Sequence, residues 1–501
     1  MNLCLACRDV EPDGRGGLAR ATCDLAEALA GQGHSIHLLT NASEMPAPVL
    51  RGVSIHSLPV PPVSGRCSGA KPESASHNLM HAAAAYREVR RIHEREEPVD
   101  AVLAPLWRSE GAVCALDDRF PTIVSCMTSL RTLTEIDPGY LRVPDIDERL
   151  RLEHETLGRA RYLHGLTDSV LRKTIEDHGL RPDASTVIGR GLRDHGAPTR
   201  NEARDGRAVH VLFVGRLERR KGVDTLLAAA RELVEGGVAV EFTLAGANAD
   251  PSIREAFERE GAARPGLRAA VRFAGPVSDA ELHRLYYDCD IVCAPSRYES
   301  HGVVLIEAMM FAKPIVTSGA GGIGEVVTAD EDALVVPPGD PQALASVLGR
   351  LAASAELRAK LSSRARATYE QRFDAGAVAL QMASFLERVI GAHQRVASDV
   401  AGRLFTLLED GLALAPVDAR ELAGALLDPP ASAWRAWAHE RETGLRQEMA
   451  AQAATLEVLR ERDETLGRIE QGGWWRLRER LLPLLWLARW LRARAGASRA
   501  R

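Results

Sequence analysis

No stretch of this 501-residue chain approaches the roughly 20 consecutive apolar residues that span a bilayer, so an ordinary membrane-spanning helix is not expected. The opening residues, MNLCLACRDV, have neither a basic stretch nor a long apolar one, and read as a first strand rather than a secretory signal. Strong charge of one sign is also missing: the formal net charge of −5 is too mild to imply a nucleic-acid partner. Cysteine is sparse, eight residues scattered along the chain, which suits a reducing cytoplasm better than a disulfide scaffold. The one C-x-x-C, Cys4 and Cys7, has no second pair to complete a zinc site, and strand positions three apart point to opposite faces, so both belong in a core. The length exceeds one ordinary core and implies two or three domains.

What is present is concentrated in PSRYESHGVVLIEAMMFAKPIVTS. The run Ile291 to Ala294 reads as a buried strand that Pro295 and Ser296 stop. Gly302 then lets the backbone turn into a helix that Val304, Ile306 and Met309 would bury. This sets Glu299 in the loop and Glu307 in the first turns of the helix, eight positions apart. Amides near Gly302, Val303 and Val304 would present the positive end of the helix dipole to an anionic diphosphate. Glu307 could accept from both ribose hydroxyls and Glu299 could face a transferred sugar. Taken alone, the spacing also fits a solvated first-turn glutamate and a stray loop acid.

A second signal lies upstream. Residues 208 to 245 read strand, turn, helix, strand, with Val223, Leu226, Leu227, Ala230, Leu233 and Val234 on one helix face. Gly215, Arg216 and Lys221 fall in the turn, which in an open α/β sheet lies at the carboxyl ends of the strands where ligands bind. A planar fork from Arg216 and a point charge from Lys221 suit a diphosphate leaving group.

Together these segments resemble the retaining glycosyltransferases of family 4, which have the GT-B fold. The resemblance covers roughly residues 1 to 390 and rests on four stretches in the family's order: RDVEPDGRGGLARATCDLAEALAGQGHSIHLLT, FVGRLERRKGVDTLL, YESHGVVLIEAMMFAKPIV, and TSGAGGIGEVV followed by ALVVPPGDPQALA. It implies that Arg216 and Lys221 hold the diphosphate, Glu307 the ribose and Glu299 a sugar hydroxyl. A loop at Gly16 and Gly17 would close over the donor from the other domain. The donor would be a UDP-, GDP- or similar nucleotide sugar, with no cofactor and no catalytic metal. One departure stands out: in PTIVSCMTSLR, where many members have a histidine near the sugar, this chain has Met127, then Thr128 and Ser129, leaving His301 as a speculative helper. Asp288 and Asp290 form a D-x-D but fall between a helix and a strand, and are expected to mark a turn rather than a metal site.

The expected architecture is α/β, two Rossmann-like doubly wound domains facing a cleft, plus a C-terminal helical extension. Residues 1–190 would form the acceptor domain, from strand Leu3–Cys7 through a helix with inner face Leu18, Thr22, Leu25 and Leu29. A polar linker would run over 191–207 and the nucleotide-sugar domain over 208–374. A helix at 375–395 would cross back to the first domain. Residues 396–470 read as helical, either a short coiled coil through Leu445, Met449, Leu456, Leu459 and Leu466 or helices packed on their own protein. The last segment, 471–501, holds four of the seven tryptophans, with Arg476, Arg480 and Arg494 largely off the stripe Leu477, Leu481, Leu484, Ala488 and Leu491. That composition fits an interfacial membrane helix, or a basic helix docked on protein.

These readings point to transfer of a hexose to a hydroxyl of a saccharide or lipid-linked acceptor, in the cytoplasm, with peripheral contact at the inner face of the plasma membrane. The alternatives are a GT-B-type nucleotide-sugar isomerase or epimerase, which would need an acid/base pair that the sequence does not offer, and a catalytically silent scaffold of a polysaccharide assembly complex.

Overall fold

The computed structural model describes residues 1–8, 10, 16–41, 49–60, 74–196, 208–412 and 416–428, all within one unit, Met1–Ala433. The heptad positions beyond 440, the segment 471–501 and linker residues 197–207 lie outside the described residues.

Short apolar runs alternating with amphipathic segments build a parallel sheet first. Its strands are β1 (Asn2–Ala6), β2 (Ser35–Asn41), β3 (Val53–Leu58), β4 (Ala101–Pro105), β5 (Thr122–Cys126), β6 (Tyr162–Gly165) and β7 (Ala184–Val187). They lie in the order β3-β2-β1-β4-β5-β6-β7, every neighbouring pair parallel. The helices are α1 (Gly17–Gly31), α2 (Ala75–Arg95), α3 (Leu130–Ile136), α4 (Ile146–Arg159) and α5 (Asp168–His178). Ser74, Ser129 and Thr167 start α2, α3 and α5 by accepting a backbone N–H three residues on.

A second sheet follows, from β8 (Val209–Val214), β9 (Val240–Ala245), β10 (Val271–Gly275), β11 (Ile291–Ala294), β12 (Ile315–Ser318) and β13 (Ala333–Val336), in the order β10-β9-β8-β11-β12-β13. Around it are α6 (Val223–Glu235), α7 (Pro251–Ala262), α8 (Pro265–Ala270), α9 (Asp279–Asp288), α10 (Val303–Met310), α11 (Ile323–Val326), α12 (Pro341–Ala353) and α13 (Ala355–Arg372). The chain continues through α14 (Ala375–Ala392), α15 (Val400–Leu412) and α16 (Pro416–Leu427). The fold class is therefore the expected one: two doubly wound parallel domains with helices added at the C-terminal end.

Both faces of each sheet are covered, which is why the strands are apolar throughout rather than alternating. In β1, Leu3 and Leu5 face the core under α1 and α14, and Cys4 faces the core under α2. Cys7 returns to the first side, so the two cysteines do point to opposite cores. Helix α14 brings Val378, Met382, Phe385 and Leu386 onto the first domain. Helices α15 and α16 lay Leu404, Leu407, Leu408, Leu422 and Leu426 in the core that holds α2, so the described part of the extension packs on its own protein.

One expectation needs correction. The buried face of α1 is carried by Ala19, Cys23, Ala26 and Leu29, while Leu18, Thr22 and Leu25 are only partly buried. The helix is wedged between the sheet and α14, and small side chains allow that approach. The start of the expected linker is anchored at Leu192, which is buried, its N–H donating to Phe373 O at 3.0 Å and its carbonyl accepting from Ala375 N at 3.0 Å, while Arg193 and Asp194 are exposed.

Candidate functional site

The carboxyl ends of the two sheets face a cleft of about 650 Å³. All nine residues singled out from the sequence line it: Gly16, Gly17, Arg216, Lys221, Glu299, Gly302, Val303, Val304 and Glu307. From the first domain come the start of α1 and the segments after β4, β5, β6 and β7; from the second, the turns after β8, β9, β10 and β11.

The turn after β8 carries the basic residues. It ends at Gly222, whose φ of 71° begins α6, and a Cβ there would collide with the Pro295 carbonyl, so only glycine lets this turn pack on the end of β11. That contact sets Lys221 beside Glu299, and the two form an ion pair. Arg220, which sequence reasoning passed over, lies 3.9 Å from the same carboxylate and 2.7 Å from Glu218. Arg216 is half-exposed and reaches Glu218 at 3.2 Å. Burial opposes the charge of Glu299, yet Lys221, Arg220 and Arg190 outweigh it and hold this carboxyl below the usual carboxylate range. The Glu299 carbonyl accepts from Gly322 N at 2.8 Å, which ties the loop to the TSGAGG segment.

Helix α10 starts at Gly302 with φ 77° and is buried along Leu305 to Met310 against the sheet and α13. Only Val303 and Val304 are partly exposed, both on the cleft, so Val304 is less buried than its place in the pattern suggested. Gly17 lies against Val303, bringing the two domains together at this point.

Glu307 is 5% exposed and both its oxygens are engaged. Oε2 accepts from the Tyr286 hydroxyl at 2.7 Å, and Oε1 accepts from Arg20 of the first domain. Arg20 also reaches Asp279 at 2.7 Å. Tyr286 is pushed well above its ordinary range by burial and by Glu307. Sequence reasoning missed Arg20, Asp279 and Tyr286. Arg20 did carry a signal, since it sits one helical turn beyond Gly16 in the same motif.

Comparison with known proteins bears on what such a cleft does. Residues 16–191 match the model described as Glycosyl transferase 4-like domain, and residues 199–368 match Glycosyl transferases group 1. The D-inositol 3-phosphate glycosyltransferase of Acidothermus cellulolyticus is 27% identical over 411 residues, covering 77% of this chain and 89% of the relative. The phosphatidyl-myo-inositol mannosyltransferase of Mycolicibacterium smegmatis is 29% identical over 392 residues, covering 76% and 92%. The chain is a GT-B glycosyltransferase of the family 4 type. Anabaena Alr3699/HepE, solved in complex with UDP and glucose, shares the fold at a TM-score of 0.59 and 20% identity, over 77% of this chain and 99% of that one.

In this glycosyltransferase the segment after β5 puts Met127, 9% exposed, on the cleft wall with Thr128. Ser129 is spent capping α3. His301 lines the cleft but is buried against Gly189 and Phe373, and burial, with Arg190, His164 and Arg372 nearby, pushes it down to about 3. Its Nε2 accepts from Arg190 N at 3.4 Å. Asp288 and Asp290 lie at the amino end of β11, the far end of the sheet from the cleft, where Asp290 accepts from His210 N at 2.8 Å. They serve a helix-to-strand turn.

Proposed function

We propose that the enzyme transfers a hexose from a nucleoside diphosphate sugar to a hydroxyl acceptor with retention at the anomeric carbon, and without a metal. The observation that carries this reading is one cleft in which Arg216, Arg220, Lys221 and the first turn of α10 lie together on the second domain's wall, with Glu299 and Glu307 beside them. Arg216 and Lys221 would hold the diphosphate, Glu307 the ribose and Glu299 a sugar hydroxyl, with Gly16 and Gly17 covering the donor from the opposite domain.

As the bond from the anomeric carbon to the phosphate oxygen breaks, the diphosphate gains charge, and the fixed cations and helix amides offset it. One lost donor of this kind typically costs ~2.7–4 kcal/mol of barrier. The acceptor oxygen attacks from the same face, and its proton passes to the departing phosphate oxygen. This route suits a site in which Glu299 is held ionised by its cationic neighbours and His301 is neutral, since neither is set up as a proton donor.

The UDP and glucose bound by the Anabaena structure support a UDP-hexose donor, and the lipid in the name of the Mycolicibacterium relative supports a lipid-linked or surface polysaccharide intermediate as acceptor. The segment 472–501 would bring the enzyme to the inner membrane face. The test incubates UDP- and GDP-hexoses, in EDTA, with and without lipid-linked oligosaccharide. Nucleotide release only with acceptor supports the reading. A new sugar stereoisomer formed without acceptor would point to an isomerase, neither product to a scaffold, and activity that returns only with manganese or magnesium to a metal enzyme.

A further inference from the structure

Deep in the cleft, on the first domain's side, stands a guanidinium that the proposed reaction does not use. Arg190 follows β7 and lines the main cleft. It also lines an adjoining chamber of about 70 Å³, enclosed by β1, β4, β5 and β6 and by helices α1 and α14. Leu18, Met127 and Leu166 are the other residues shared by the two cavities, so Arg190 is the charged group at an otherwise apolar junction. Its backbone N–H is used by His301, but its side chain makes no hydrogen bond or ion pair with any described residue.

The neighbours cannot supply an anion. Glu299, the acid whose charge Arg190 feels, is already paired with Lys221 and lies 3.9 Å from Arg220. Glu307 is held by Arg20 and Tyr286. The polar groups of the chamber satisfy one another: Thr22 donates to Leu18 O at 2.9 Å, Ser125 meets His164 Nδ1 at 2.9 Å, and His164 Nε2 meets Ile188 O at 2.7 Å. Desolvation pulls Arg190 down to about 10, with Cys7 and Glu299 opposing, so the group stays charged at neutral pH, and its side chain is partly buried where the chamber meets the cleft. A partly desolvated guanidinium with no anion beside it is stabilised when one joins it, and its fork is shaped for a carboxylate or phosphate.

We infer that Arg190 binds a carboxylate or phosphate carried next to the reacting centre, either on the transferred sugar, as in a uronic acid donor, or on the acceptor. Arg190 is then a specificity-determining residue, distinct from the groups that hold the diphosphate. The inference rests on the donor-site reading above, because it takes the region around Glu299 as the sugar end of the cleft.

Calorimetry on the full chain tests it. UDP, UDP-glucose, UDP-glucuronate and their GDP counterparts are titrated into the wild type, Arg190→Met and Arg190→Gln. The UDP-saturated proteins are then titrated with myo-inositol and with D-inositol 3-phosphate as acceptor probes. If the anion is on the donor, the wild type should favour UDP-glucuronate over UDP-glucose by tenfold or more, and both variants should lose that preference while binding UDP as before. If it is on the acceptor, the wild type should take the inositol phosphate at least tenfold better than inositol, and the variants should not. A wild type that discriminates in neither arm overturns the inference with no appeal to the variants. So does an equal loss of UDP and UDP-glucuronate binding in both variants, which would assign Arg190 to the diphosphate. Failure of every UDP ligand, and of the GDP counterparts, to bind the wild type would instead overturn the donor-site reading, and the inference with it.

Discussion

Glu307 illustrates what a single residue can and cannot announce. Its spacing from Glu299 is visible in the sequence, and both acids line the cleft. That its two oxygens are divided between Tyr286 and Arg20 is not visible, because those partners are 21 and 287 positions away along the chain and meet it only after folding. Arg190 was hidden for the same reason: a glycine-flanked arginine in a polar stretch looks solvated until the cleft closes around it. Lys221 and Arg216, in contrast, were legible because a βα turn fixes where they must lie. We expect Lys221→Ala and Glu307→Ala to weaken donor binding in calorimetry by tenfold or more, each removing a charge-assisted partner. Unchanged affinity in both would remove these residues from the donor site. Arg216→Lys should lower turnover about a hundredfold if the fork is needed, and wild-type turnover would mean that Arg216 is merely solvated.

Elements were legible where period and capping agree, as in α6, whose buried Val223, Leu226, Leu227, Ala230 and Leu233 follow the expected face. They were less legible where a helix is covered on two sides, as in α1, because an apolar stripe then no longer marks one buried face. Strand β3 gave no clear signal: Val53 and Ile55 alternate with Ser54 and His56 on an edge strand only partly buried. The pairing of α3 with α4 adds a pH dependence. Glu153 on α4 accepts from Leu130 N at 2.9 Å, and burial pushes its carboxyl up to about 7 against the opposing backbone N–H groups and Arg149. A raised acid binds its proton more tightly when folded, so this group's contribution is favourable at low pH and is lost as pH rises from about 4.5 to about 7, on the order of 3 kcal/mol. Thermal midpoints from pH 4.5 to 8 should therefore show a downward component that Glu153→Gln removes; an unchanged profile in the variant would place the titration elsewhere. The segment 472–501 makes a second prediction at this scale. Each arginine near an anionic surface contributes about 1 kcal/mol, so its deletion should abolish sedimentation with anionic liposomes at low salt while sparing donor binding. Equal sedimentation of the two proteins would favour docking on protein.

At the scale of the whole molecule, the two-sheet plan was legible from alternating strands and helices, but the way the halves meet was not. They meet through Ala21 of α1 in the second domain's core, through Glu325 receiving N–H bonds from Asp168 and Ser169, and through Arg20. The Arg20 contact has the most to say about closure. Arg20 and Glu307 are 14% and 6% exposed as side chains, so this is a largely buried pair, and removing one member of such a pair typically costs 3–5 kcal/mol because the other charge is left without compensation. The cost is avoided if the cleft opens and water reaches Glu307. Arg20→Met should therefore shift the nucleotide-free enzyme towards an open form, giving a larger radius of gyration in small-angle scattering than the wild type. A ribose hydroxyl donating to Glu307 would replace part of what Arg20 supplied, so saturating nucleoside diphosphate should narrow the difference. The arginine can also keep its hold on Asp279 when a ribose takes its place at Glu307, which makes Asp279→Asn a milder version of the same change. Scattering curves that coincide for wild type and Arg20→Met without nucleotide would show that the apolar contact at Ala21 and the Glu325 bonds hold the domains together, and that Arg20 does not govern closure.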